Sequence, residues 1–133
     1  MGREVITRGK LHGYKYSPGV VVAGTAYLAG HFGVDAEGRL VSEDVAEQGR
    51  KALENVRATL EAAGMGLGDV VSMRVWLVTY DEMPQFDGVY GEFFPQDPPA
   101  RTAFMVDRLP LGARVELDAI AVRGSSQVEA RFT

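Results

Sequence analysis

Two charged side chains set into apolar, strand-like runs carry the most chemistry in this 133-residue chain: Arg101 and Glu116. Both fall between Pro98 and Arg123. Arg101 stands at the mouth of one apolar run, and Glu116 lies inside the next. A charge within a strand costs stability unless a partner or a ligand uses it. The planar fork of an arginine makes two parallel hydrogen bonds to a carboxylate. A partly buried glutamate handles water or protons. The pair therefore suggests a small site for an acidic metabolite. A structural salt bridge between neighbouring strands is the alternative, and spacing alone favours it.

The elements that must position these groups read in order along the chain. Val5 and Ile6 suit an edge strand, and Gly13 to Gly19, with Tyr14, Tyr16 and Pro18, reads as a loop. Val20 to Gly30 reads as two short strands around a Gly24-Thr25 turn, and Asp35 to Gly38 as a further turn. Ser42 is placed to cap a helix whose apolar residues Val45, Ala52, Leu53, Val56, Leu60 and Ala63 recur at three- and four-residue spacing. Gly64 ends it. The opposite face, with Glu47, Arg50, Lys51, Glu54, Arg57 and Glu61, reads as solvated, and Asn55 has no evident role.

Val70 to Tyr80 alternates as a strand, with Val71, Met73, Val75 and Leu77 on one side. Asp81 is positioned to cap a second helix with Pro84 in its first turn and Phe86, Val89, Tyr90 and Phe93 on its apolar face. Gly88 and Gly91 either weaken that helix or let it pack closely. Thr102 to Val106 and Val115 to Val122 are the last strands, joined through Leu109 to Gly112. Residues 124–133 form a polar tail expected to fray. The order predicts one α+β domain over 1–133, a mixed sheet with two helices on one face.

Bulk properties exclude several functions. Fourteen Lys and Arg against eighteen Asp and Glu give a net charge of −4, and the basic residues are scattered. A stripe that tracks phosphates has no basis in this pattern, so no nucleic-acid partner is expected. The absence of cysteine removes disulfides and thiolate chemistry and fits a cytoplasmic protein. Two histidines, His12 and His31, lack metal-ligand spacing, so no metal is expected. No apolar run approaches the roughly 20 residues of a membrane span. The first residues show neither a signal-peptide core nor, with Ile6 in place, a myristoylation pattern.

In the last strand Val115, Leu117, Ala119 and Ala121 point one way and Glu116, Asp118, Ile120 and Val122 the other. The first set suits the helices. The second is half apolar, and a domain of this size covers it only with another subunit, where clefts form at the seam. A monomer with a solvated sheet face is the alternative.

Several segments together resemble the Rid family, the reactive intermediate deaminases or YjgF-like proteins. They are Tyr16-Ser-Pro-Gly-Val20, Tyr27-Leu-Ala-Gly-His31, the helix with Asn55-Val56, Pro99-Ala-Arg-Thr102 and Val115 to Val122. The resemblance runs from about Tyr16 to Arg123. It implies a chorismate-mutase-like fold of the bacterial trimeric type, with a β-rich core at the trimer centre and clefts between subunits. It also implies hydrolysis of enamines and imines of the 2-aminoacrylate and 2-iminopropionate type to 2-keto acids and ammonia, with no cofactor. Arg101 would clamp the substrate carboxylate, Glu116 would hold the attacking water, and Tyr16 would line the cleft. Ala29, Gly30, His31 and Thr102 fall on the remaining substrate-binding positions. Ala29 stands where the archetype has serine and His31 where it has glutamine. These departures touch the identity of the substrate more than the reaction, and leave open a relative specialised for another imine, or a trimer that only binds a small ligand. Phe32, Trp76 and Phe104 read as core more than as cleft lining.

Overall fold

The computed structural model describes residues 1–7 and 15–133. His12 and the first part of the Gly13–Gly19 loop lie outside the described residues. The chain forms strands β1 (Arg3–Ile6), β2 (Gly19–Val22), β3 (Thr25–Leu28) and β4 (His31–Phe32), helix α1 (Val45–Ala62), strand β5 (Val70–Leu77), helix α2 (Met83–Phe93), and strands β6 (Ala100–Met105) and β7 (Val115–Val122). The sheet order is β1-β2-β3-β7-β5-β6, with β4 also on β7. All described pairings are antiparallel except β5 with β6. Both helices pack on one face, as expected for this α+β, chorismate-mutase-like architecture. The core between them and the sheet holds Leu53, Val56, Leu60, Met73, Leu77, Phe86 and Leu117.

Local physics explains where the boundaries differ from the sequence reading. The first hairpin turns on Ala23-Gly24, one residue earlier than expected. Both have positive φ, 50° and 82°, the pairing that suits the twist of a two-residue hairpin. Asp44, not Ser42, caps α1: its carboxylate accepts the Glu47 N–H at 3.0 Å. Ser42 instead accepts the Asp44 N–H at 3.0 Å and supports the cap. Gly64, at φ 73°, does end the helix, with the Met65 N–H returning to the Leu60 carbonyl at 3.0 Å.

A register irregularity between Val70 and Ser72 turns Val70 into the core and leaves Val71 40% exposed, reversing the expected direction of Val71. Helix α2 follows a 3₁₀ turn over Tyr80–Glu82, capped by the Thr79 hydroxyl and not by Asp81. The close helix contact comes from Gly49, where a Cβ would press on the Phe86 ring, whereas Gly88 and Gly91 face open space. Strand β6 begins at Ala100, so Arg101 sits within it and not at its mouth. Residues after Gly124 run back toward the loop before β6, where Arg131 pairs with Asp97 at 2.7 Å.

Candidate active site

The irregular segment after β3 brings most of the candidate residues together. Tyr16, Ala29, Gly30, His31 and Glu116 line one cavity of about 850 Å³. Phe32, Val34, Pro110 and Leu111 supply apolar wall, and Lys51, Asn55 and Thr59 of α1 supply polar wall. The β7 residue Glu116 lies opposite Phe32 of β4 and Trp76 of β5. Its carboxylate lies against Gly30, where any Cβ would collide with it. A side chain at position 30 would displace the Glu116 carboxylate from this place.

Burial is the main cause that raises the Glu116 carboxyl above its ordinary range, and the nearby Asp118 carboxylate adds to it. Asp118 itself is held by Arg74 at 2.6 Å and by the Trp76 indole N–H at 2.8 Å. A half-buried carboxyl with raised proton affinity is suited to taking a proton from water.

His31 is buried on the helix side of β4, opposite Leu117. Its Nδ1 faces the Ala29 carbonyl at 2.7 Å and therefore carries the proton it donates. Its Nε2 meets the Thr59 hydroxyl at 2.8 Å. The imidazole thus ties the corner after β3 to α1. Asn55 continues the same seam, its amide donating to the carbonyls of Phe32 at 2.9 Å and Val34 at 3.0 Å. Gly33 lets this segment lie directly on the α1 backbone, where a Cβ would strike Gln48. Gln48, fully buried, donates to the Ser42 carbonyl at 2.8 Å and accepts the Arg114 N–H at 2.8 Å, fixing the approach to β7.

Arg101 and Thr102 lie elsewhere. Their strand β6 is separated from β7 by β5, so Arg101 and Glu116 are not on neighbouring strands and form no salt bridge with each other. Arg101 registers with Met73, which is fully buried beneath the helices, and Met73 registers with Ala119. Glu116, three residues from Ala119, points to the opposite face. Two strands across and three residues along, their Cα atoms are on the order of 14 Å apart. Arg101 is held by α2 instead: it pairs with Asp87 at 2.6 Å and lies over the Tyr90 ring at 4.7 Å. Desolvation pushes the Tyr90 hydroxyl up to about 12, against a smaller opposing pull from Arg101. Its ring is therefore a neutral platform.

Phe32 lines the cavity, while Trp76 and Phe104 stack on each other at 4.4 Å on the open face of the sheet. The sequence reading passed over Asn55, Asp87 and Lys51. Lys51, Asn55 and Thr59 recur every four residues and share one stripe of α1, but that spacing alone does not tell a cavity wall from a solvated flank. The charged face of α1 is not uniformly solvated: Lys51 is a half-buried cavity wall, and Arg50 pairs with Glu92 at 3.1 Å.

Comparison with known proteins gives a consistent set of relatives. The endoribonuclease L-PSP family model matches residues 11–123. Human 2-iminobutanoate/2-iminopropanoate deaminase is 38% identical over 125 residues, covering 92% of this chain and 91% of that protein. The crystal structure of RidA from the Antarctic bacterium Psychrobacter sp. PAMC 21119 superposes with a TM-score of 0.84 at 33% identity, over 90% of this chain and 98% of the other. E. coli TdcF, solved with bound serine, superposes with a TM-score of 0.83 at 31% identity, over 91% and 99%.

Proposed function

Because the chain belongs to the Rid (YjgF-like) family, the family described as endoribonuclease L-PSP, we propose that it is a hydrolytic deaminase of reactive 2-imino and 2-enamino acids, assembled as a cytoplasmic homotrimer. The observation that carries this reading is the placement of a half-buried carboxyl of raised pKa, Glu116, at the wall of a cavity shared with Tyr16, Ala29, Gly30 and His31. The relatives' name supplies the substrate type: 2-iminobutanoate and 2-iminopropanoate.

In this mechanism the substrate carboxylate rests on a guanidinium, and its protonated imine carbon faces a water held by Glu116. Water oxygen adds to that carbon as the C=N π pair moves to nitrogen. Glu116 takes the proton that water loses and passes it to the amine. The C–N bond then breaks as the hydroxyl becomes the carbonyl, and the hydroxyl proton passes, through Glu116, to the departing ammonia. Iminium and water enter; 2-keto acid and ammonium leave. The balance consumes only water, so the step needs no redox partner.

The guanidinium is Arg101, and its location motivates the trimer. Within one chain it faces away from Glu116, so a complete site requires Arg101 of the partner subunit at the mouth of the cavity. The open sheet face supports such an assembly: it exposes Tyr27 at 52% and Phe104, Ile120 and Val122 at 36% each, more apolar surface than a solvated face needs. Thr102, beside Arg101, would reach the same mouth.

A second reading is a trimer that binds a small acid without turning it over, favoured by the serine bound in TdcF. Ribonuclease action finds no support in the scattered basic residues and the charge of −4. The deciding experiment generates imines in situ from several L-amino acids with an amino-acid oxidase and follows them with semicarbazide as a competing trap. Wild type is expected to divert the imine from the trap and Arg101→Ala is not. Binding of 2-keto acids with no diversion by wild type would replace the enzyme by the binding protein.

A further inference from the structure

Cavity size, the α1 stripe and local charge balance together bear on the substrate. In a single chain the cavity measures about 850 Å³ and is open at the mouth where the partner subunit would stand, which leaves room for a ligand longer than a three- or four-carbon imine. Its polar wall is the stripe Thr59, Asn55 and Lys51. Thr59 is engaged with His31, and Asn55 with the Phe32 and Val34 carbonyls. These contacts show that α1 runs antiparallel to the β4 segment. Lys51 therefore stands about 6 Å beyond Asn55 and about 12 Å beyond Thr59 along the helix axis, toward the end remote from His31.

Among the described residues no carboxylate pairs with Lys51. Glu47 and Glu54 lie one helical turn to either side of Lys51 on α1, and neither comes within ion-pair distance of it. Asp35, the acid on the cavity lining nearest that end, is already compensated. Its Oδ1 accepts the N–H groups of Arg39 at 3.0 Å and Glu37 at 2.9 Å, the Arg39 guanidinium lies 3.7 Å from Oδ2, and these hold its carboxyl below the usual range. Phe32, Val34 and Leu111 supply apolar wall to the cavity that Lys51 and Glu116 share. The cavity thus combines a carboxyl suited to water activation, apolar wall and an ammonium that makes no ion pair among the described residues.

We propose that the substrate is a 2-imino or 2-enamino acid whose side chain ends in a second carboxylate, and that Lys51 is the residue that selects it. This rests on the deaminase reading of the same cavity. The first carboxylate is met at the mouth, the methylene or unsaturated chain crosses the apolar wall, and the distal carboxylate meets the Lys51 ammonium. A charge-assisted contact of this kind separates a charged from an uncharged chain of equal length by roughly tenfold or more.

The test compares imines generated from L-glutamate and from L-norvaline, both five-carbon chains, one ending in carboxylate and one in methyl. For wild type, kcat/KM is expected to favour the glutamate-derived imine. The preference should fall about tenfold in Lys51→Gln and return in Lys51→Arg. Calorimetric binding of 2-oxoglutarate against 2-oxopentanoate to the same proteins reads the selection without turnover. Imine hydrolysis with no chain preference, or a preference unchanged in Lys51→Gln, overturns the proposal and leaves the deaminase standing. Lys51-dependent preference for 2-oxoglutarate with no hydrolysis of any imine removes the deaminase and keeps the diacid site. Neither hydrolysis nor preference removes both.

Discussion

Glu116 shows how a single residue couples function to stability. Its carboxyl is raised mainly by burial, so the folded protein holds the proton more tightly than the unfolded chain does. Between the ordinary glutamate range and the raised folded value the native state binds more protons, and stability falls as pH rises through that window. Glu116→Gln removes the penalty. The variant should lose imine hydrolysis yet melt about a degree or two above wild type at neutral pH, with the gap closing as pH falls below the ordinary glutamate range. A melting series from pH 4 to 8 reads this, and a gap independent of pH would count against burial as the cause. Asp87 makes the second residue-scale case. It grips one arm of Arg101 while Tyr90 supports the plane, so Asp87→Asn should raise KM for carboxylate-bearing imines severalfold and leave kcat within about twofold. An equal fall in kcat would assign Asp87 some other part.

At the scale of elements the decisive contact is between α1 and the short β4 segment. Two residues of regular strand cannot hold their own position, and the seam of His31 and Asn55 side chains supplies what the ladder lacks. Asn55 satisfies two carbonyls that lie in the wall of the cavity. Asn55→Ala should therefore cost about 1–3 kcal/mol in urea unfolding and lower kcat/KM as well, because Gly30 and Phe32 lose the support that sets them against Glu116. Full activity in a variant destabilised by that amount would show that the seam serves folding alone. The pattern of α1 was legible as far as its apolar face, since 3.6-residue periodicity marks the buried stripe directly. The polar stripe beside it was not, because a polar side chain on a helix flank looks the same whether it meets solvent or a neighbouring carbonyl. The hairpin turn and the β5 irregularity were missed for a related reason: each depends on one residue's backbone angle or pairing, and period-2 alternation continues past both.

For the whole molecule, the separation of Arg101 from Glu116 across the sheet makes a prediction about assembly. If a complete site takes Arg101 from one subunit and Glu116 from another, two inactive variants complement each other. Arg101→Ala and Glu116→Gln, unfolded together and refolded as a mixture, should regain roughly a quarter of wild-type activity, the share of seams that draw both intact residues in a cyclic oligomer. Each variant refolded alone should stay inactive. Absence of any recovery, with mixed oligomers present by native mass spectrometry, would place both residues in sites of a single chain and remove the reason for the trimer.

Residue order by itself determined the α+β layout, the two amphipathic helices, the apolar inward set of β7 and the pairing of arginine and glutamate chemistry with short signature segments. These are local or periodic properties, and each is written in consecutive residues. Only the tertiary structure decided that the segment from Tyr16 and the corner at Gly30 meet Glu116, that Asn55 and His31 hold that corner, and that Arg101 faces away toward α2. Those outcomes depend on which strand lies beside which. Inserting β5 between β6 and β7 turns two residues fifteen positions apart, seemingly neighbours, into groups on opposite faces of one sheet.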